Sequence, residues 1–363
     1  MKKTDPFTRR VDAIEVRPRR SVAELLELMG RTGFQGRSLA RVVEVYEKML
    51  RAEDTAILFG YAGSLSTTGQ WKIVNWLLEM GFIDVLVSTG ANISEDIVEA
   101  MGRSYWQCSP ESDDVELFAQ GYNRYYDVVG KESDYMEMTE LIAEFIMGLD
   151  EGYNYSSREF LYLFGKWLAA RGIMSIVAVA AQHDVPVFCP AIADSPYGDA
   201  ALIAKSRGFA LTVDAMKDYV EFMSLARHVE DTAVVYVGGG VPKDFIQLFA
   251  VTSELLYEER VIPDRKPGIS NRKGVENIET YYPHRYAIQI TTDSPQWGGL
   301  SGCTFREAVS WGKEDPDGDM VQCYCDATIA LPLVAHALAE RVEGRRRRVE
   351  FPPCRPGVGK AHG

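Results

Sequence analysis

The segment Glu307-Ala-Val-Ser-Trp-Gly-Lys313 is where the residue types of this chain come nearest to covalent chemistry. Lysine normally sits exposed and is almost never fully buried. Here it follows tryptophan and glycine and precedes a stretch that reads as a strand. A lysine amine attacks a carbonyl or imine carbon only when uncharged, so its ordinary pKa of about 10.4 must be drawn toward neutrality. An apolar aromatic pocket does this by disfavouring the ammonium, and Trp311 is expected to line that pocket and offer a π-face to an ammonium ligand. Taken alone, the same residues also fit a surface lysine beside a packed tryptophan.

Four other places follow apolar runs that read as strands, where open α/β sheets bind ligands. Gly60-Tyr-Ala-Gly-Ser-Leu-Ser-Thr-Thr-Gly69 combines small residues with the hydroxyls of Ser64, Ser66, Thr67 and Thr68, which suit either a phosphate or a helix cap. Ser88-Thr-Gly-Ala-Asn92 is followed by Glu95 and Asp96, again fitting a cap or a ligand. Ala193-Asp-Ser-Pro-Tyr-Gly-Asp199 places two carboxylates, Asp194 and Asp199, on a turn where they would hold a ribose hydroxyl, an ammonium or simply the turn itself. Gly238-Gly-Gly240 permits close backbone approach to a dinucleotide, but it is not the GxGxxG fingerprint of a simple Rossmann dehydrogenase.

The elements that must position these residues read as short Val/Ile/Phe-rich runs alternating with amphipathic stretches. Strands are expected over 56–63, 84–90, 186–192, 233–240, 287–293 and 320–330, and helices over 37–51, 67–81, 139–149, 156–170, 211–228, 242–257 and 330–343. The fold class predicted is α/β, a doubly wound, mostly parallel, Rossmann-like sheet. An N-terminal extension and helix occupy 1–36, a single α/β domain 37–343, and a basic Pro/Gly tail 344–363. Two stretches, 103–135 and 258–285, read as long surface excursions.

Composition narrows the function. The 363 residues carry a formal charge of −13, which disfavours a nucleic-acid surface and suits cationic ligands. The four arginines of GRRRRVEFPPC read as a solvated or subunit-contacting tail. Six cysteines show no CxxC pairing and none of the five histidines makes a metal-ligand pair at helical spacing, so thiols are expected reduced and no metal is assigned. The start MKKTDPFTRR has no apolar core and no run is long enough to span a membrane, so a cytoplasmic location without membrane insertion is expected.

Seven blocks in the same order carry a resemblance: TGFQG (32–36), LFGYAGSLSTTG (58–69), DVLVSTGANISED (84–96), VPVFCPAIADSPYGD (185–199), VGGGVPK (237–243), EAVSWGK (307–313) and YCDATIALPLV (324–334). Across about residues 21–343 the chain resembles the deoxyhypusine synthases. The resemblance implies that fold, NAD as cofactor, and transfer of an aminobutyl group from spermidine through an imine on Lys313. NAD contacts would fall on Gly63, Ser64, Thr89, Glu95, Asp194, Gly238, Gly239, Asp326 and Ala327. Polyamine contacts would fall on Asp199, Glu307, Trp311 and Lys313.

The resemblance also implies a tetramer built from dimers, with a lysine of a translation factor as acceptor. A free diamine such as putrescine is the alternative acceptor, as in homospermidine synthases derived from the family. An alternative of another class is a homologue that binds NAD or polyamine without turnover. Three positions depart from the family pattern: Asp244 stands where a histidine is expected, Leu300 where an ammonium-binding aspartate is expected, and Ser64 where asparagine is usual. Asp244 is expected to hold an ammonium, and Asp293 is the carboxylate placed to replace the missing aspartate.

Overall fold

In a computed structural model, residues 9–252, 282–345 and 351 are described. Two helices, α1 (Val22–Met29) and α2 (Phe34–Arg51), precede β1 (Thr55–Tyr61). Then come α3 (Trp71–Glu79), β2 (Val85–Ser88), α4 (Asp96–Ala100), β3 (Trp106–Gln107), α5 (Asp114–Ala119), β4 (Tyr122–Tyr125) and β5 (Val128–Lys131). The middle of the chain holds α6 (Glu132–Met147), β6 (Asn154–Tyr155), α7 (Ser157–Ala169), α8 (Ile176–Gln182), β7 (Val187–Phe188), α9 (Pro196–Ser206), β8 (Thr212–Val213) and α10 (Ala215–Ser224). It closes with β9 (Asp231–Val237), α11 (Gly240–Thr252), β10 (His284–Thr291), α12 (Phe305–Ser310), β11 (Glu314–Tyr324) and α13 (Ala327–Arg341).

The central sheet runs β11-β10-β9-β1-β2-β7 with every pairing parallel. Its middle strand β1 is buried at all seven positions. Ile57, Phe59 and Tyr61 join a core beneath α2, α3, α7, α8 and α13, while Ala56 and Leu58 face an aromatic core with Phe222, Phe245 and Phe249. That two-sided burial is why these strands read as continuous apolar runs rather than alternating ones. Each such buried isoleucine, leucine or phenylalanine contributes about 1.5–3 kcal/mol through apolar burial. The strand order reverses between β1 and β9, so the chain winds outward in both directions from that pair, and the doubly wound expectation is met.

Differences from the sequence reading have local causes. The 103–135 stretch is a three-stranded antiparallel sheet in the order β3-β5-β4 with α5 beside it, built on exposed and half-buried residues that leave no apolar period to read. β7 keeps only two residues, because Cys189 onward turns toward α9. β11 starts at Glu314 rather than 320, through a Pro/Gly/Asp-rich bulge opposite His284 and Tyr286. Arg345, first of the four arginines, is not solvated: it donates to the Gly81 carbonyl at 2.8 Å and pairs with the buried Asp84. α1 packs on α2 and α13 through Ala23 and Leu26, and Glu340 caps it by accepting from the Val22 and Ala23 amides. Most of the expected 258–285 excursion lies outside the described residues.

Candidate functional site

Lys313 is placed by a helix ending. Thr304 caps α12 by accepting the Glu307 amide at 3.1 Å, Trp311 ends the helix, and Gly312 takes φ 79, a left-handed turn that suits glycine. The Lys313 amide then returns to the Ala308 carbonyl while its own carbonyl accepts from the His284 amide, fixing the residue at the amino end of β11. Its Nζ donates to Asp244 Oδ1 at 2.9 Å and stands 5.6 Å from the Trp311 ring centre. The expected apolar niche is thus only half present. The lysine side chain is 13 % exposed, but Trp311 is 58 % exposed and the nearest charged partner is a carboxylate. Asp244, expected to hold a ligand ammonium, holds the ammonium of Lys313 itself.

Beneath this pair lies a polar floor that the sequence did not reveal. Lys243 is fully buried, and its ammonium donates to Gln289 Oε1 at 3.0 Å and to the Leu300 and Cys303 carbonyls at 3.3 and 2.7 Å. Burial pulls its pKa below the usual lysine value. Gln289 also donates to the carbonyls of Gly238 and Ser301, which ties the triple glycine to the 300–303 turn. Leu300, where an ammonium-binding aspartate was expected, contributes a backbone acceptor instead. Glu314, next to the lysine in sequence, is fully buried and receives a hydrogen bond from Gln247 Nε2 at 3.3 Å; burial pushes its carboxyl up to about 8. Glu307 is exposed, and near it the half-buried Cys303 donates its thiol to the Thr304 carbonyl, with burial as the leading cause pushing that thiol's pKa up.

The carboxyl ends of β1 and β9 form a crevice where the strand order reverses. Gly63 has φ +86 with open space on its Cβ side, and Thr89 Oγ1 holds its carbonyl at 2.7 Å. Ser64 donates to Glu95, which burial pushes up to about 7. Gly238 takes φ +76, where an added Cβ would stand 3.2 Å from that of Ala62, and a Cβ at Gly239 would stand 2.4 Å from Ser301 Cα, so the close approach of residue 301 requires glycine there. Asp194 is exposed on its turn, but Asp199 is not in a turn: it lies in the first turn of α9 with Tyr135 Oη 3.5 Å from its carboxylate. Asp326 caps α13 through the Thr328 amide, and Ala327 begins that helix. Asp293 accepts the Ser294 amide at 2.8 Å and lies against Gly299. A cleft of about 580 Å³ opens beside this region between Thr67, Thr68, Tyr105, Trp106 and Thr328.

The two groups are joined by α11. It begins at Gly240 in the crevice and carries Lys243, Asp244 and Gln247 past the Lys313–Glu314 segment. Among the described residues no cluster of His, Cys, Asp or Glu is placed to hold a metal, and no helix is long and apolar enough to cross a membrane.

Fold and site together define a doubly wound α/β protein with a half-buried lysine at a helix-to-strand turn and a crevice at its topological switch point. A family model described as deoxyhypusine synthase matches residues 24–338. A Methanosarcina mazei protein named "Probable deoxyhypusine synthase 2" is 45% identical over 330 residues, covering 90% of this chain and 89% of the relative. An Archaeoglobus fulgidus protein named "Probable deoxyhypusine synthase 1" is 37% identical, covering 92% and 98%. The crystal structure of an Entamoeba histolytica protein assigned as a deoxyhypusine synthase superposes with a TM-score of 0.60 at 17% identity, covering 93% of this chain and all of that one, a likeness of fold. The chain belongs to the deoxyhypusine synthase family. Membership supports a transferase role.

Proposed function

We propose that this chain is an NAD-dependent transferase that moves a 4-aminobutyl group from spermidine, through an imine on Lys313, to an acceptor amine. The observation that carries the reading is the placement of Lys313 in a chain of this family: half-buried, fixed by its backbone at both neighbours, with Asp244 at 2.9 Å to manage its proton.

The crevice fits a dinucleotide. Gly63 leaves open space, Ser64 and Thr89 bring hydroxyls, and Glu95 brings a carboxyl suited to a ribose. The cleft of about 580 Å³ beside it has the size of a ligand pocket. NAD bound there would accept a hydride from the carbon next to the secondary amine of spermidine and return it at the end. The chain's residues do the rest. Trp311 and Glu307 receive the ammonium end of the polyamine, one by its π-face and one by charge. Lys313 gives a proton to Asp244 or solvent and adds as a neutral amine to the donor's imine carbon. The bond from that carbon to the diaminopropane nitrogen breaks, diaminopropane leaves, and the imine now rests on Lys313 Nζ. An acceptor amine adds to the same carbon and releases Lys313 as a free amine.

Two acceptors fit, a protein lysine of a translation factor or a free diamine such as putrescine. Asp244 favours the second. Once Lys313 is covalently engaged, the carboxylate loses its ammonium partner and stands ready for the far ammonium of a diamine. Assembly as a tetramer of paired dimers is part of the same proposal. The experiment is product analysis after turnover with NAD and spermidine, with putrescine in one reaction and a translation factor carrying the acceptor lysine in another. Homospermidine in the first supports the diamine, a modified lysine in the second supports the protein, and neither product with either acceptor contradicts the transfer.

A further inference from the structure

Glu314 follows Lys313 directly and has no exposure to solvent. Among the described residues its one hydrogen bond runs from Gln247 Nε2 to Oε1 at 3.3 Å, and none of them partners its Oε2. The other end of the same pair has the complementary defect: Gln247 Oε1 is buried and, among the described residues, also has no partner. Two buried acceptors left unpaired each lose the hydrogen bond that water would have given them. One proton removes both costs. A carboxylic acid beside a primary amide closes a ring of two hydrogen bonds, the acid O–H donating to the amide oxygen and the amide N–H donating to the acid carbonyl.

We propose that Glu314 carries a proton in the resting protein and is closed against Gln247 as a neutral acid–amide pair, and that this neutrality makes it a positioning residue for Lys313. The proposal rests on the reading of Lys313 as a nucleophile. The surroundings agree. The charged and titratable groups facing Glu314 are Lys243 and Lys313, with Tyr236 from β9 and Asp244 near them and His284 opposite in register on β10. The buried Lys243 is already satisfied by three neutral oxygens and does not need Glu314 as a counter-ion. Burial raises the carboxyl to about 8, which keeps it protonated at neutral pH. Lys313 must shed a proton to attack, and a negative charge one residue away opposes that loss. A protonated Glu314 leaves Asp244 as the carboxylate acting on the lysine, and ionisation above about pH 8 adds a second one.

The test uses Glu314→Gln, which keeps the ring as an amide–amide pair and stays neutral at every pH. Infrared difference spectra of wild type minus variant at pH 7 should show a protonated-carboxyl stretch that disappears as pH rises past 8. Lys313 reactivity is read separately by reductive methylation with formaldehyde, followed by peptide mass. This needs neither NAD nor spermidine, so failure here is distinct from failure of the transferase reading. At pH 9 the variant should label about tenfold faster than wild type, because the neighbouring negative charge that opposes loss of the ammonium proton is gone, and the two should agree at pH 7. An ionised Glu314 at pH 7, or superimposable labelling profiles from two equally folded proteins, overturns the proposal.

Discussion

Lys313 and Asp244 form a pair whose partners are unequally exposed, 13 % and 39 %, so the pair is worth little to stability and much to placement. Asp244→Asn is expected to change unfolding free energy by less than about 1 kcal/mol, measured by denaturant titration. The same variant should raise KM for a diamine acceptor about tenfold, the loss of one charge-assisted contact worth about 1.4 kcal/mol. An unchanged KM would remove Asp244 from the acceptor site. Lys313 was legible because a motif of seven residues carries it. Lys243, Gln247 and Glu314 were not, although Lys243 lies within a recognised block and Glu314 adjoins the lysine. Charged residues read as exposed by default, and only tertiary packing buries these two with partners from β10, the 300–303 turn and α11.

At the scale of elements, the two glycine-bearing strand ends do different work. Gly239→Ala would drive a Cβ to 2.4 Å from Ser301 Cα, backbone that cannot swing aside, and should destabilise by about 1–3 kcal/mol in a thermal or denaturant melt. Gly63→Ala meets nothing within 4 Å and should cost only the left-handed backbone penalty of about 1–2 kcal/mol while weakening dinucleotide binding by calorimetry. If both variants lose stability equally and binding not at all, the crevice is packing and not a ligand site. The central strands were legible from their unbroken apolar runs, and α2, α7 and α11 from helical spacing. β3, β4, β5 and α5 were hidden because their side chains are exposed or half-buried, and α8 because a helix buried on every side, Ile176 to Ala181, has no polar face to mark its period. α9 was concealed by its Asp-Ser-Pro start, which reads equally as a turn.

For the whole molecule, the alternation of strands and helices predicted a doubly wound sheet, but the strand order that puts Gly63 beside Gly238 is a long-range fact that no local pattern contains. The same burial gives a pH signature. Burial, as the leading cause, raises Glu95, Asp96 and Asp218 to about 7 and Glu314 to about 8, from ordinary values of 4.5 for the glutamates and 3.8 for the aspartates. The folded state therefore holds protons that the unfolded chain releases. Their stabilising contribution is complete below the ordinary values and is lost as pH rises toward 8. The melting temperature should fall between about pH 5 and 8, and less steeply in Glu314→Gln; a rise across that window would show these carboxyls ionised in place. The central claim, a covalent transferase working through Lys313, is met most directly by intact-protein mass after incubation with NAD and spermidine and trapping with borohydride. The account predicts an aminobutyl-sized gain on the wild type that maps to Lys313 and is absent from Lys313→Ala; no gain with NAD bound, or an equal gain on the variant, would contradict it.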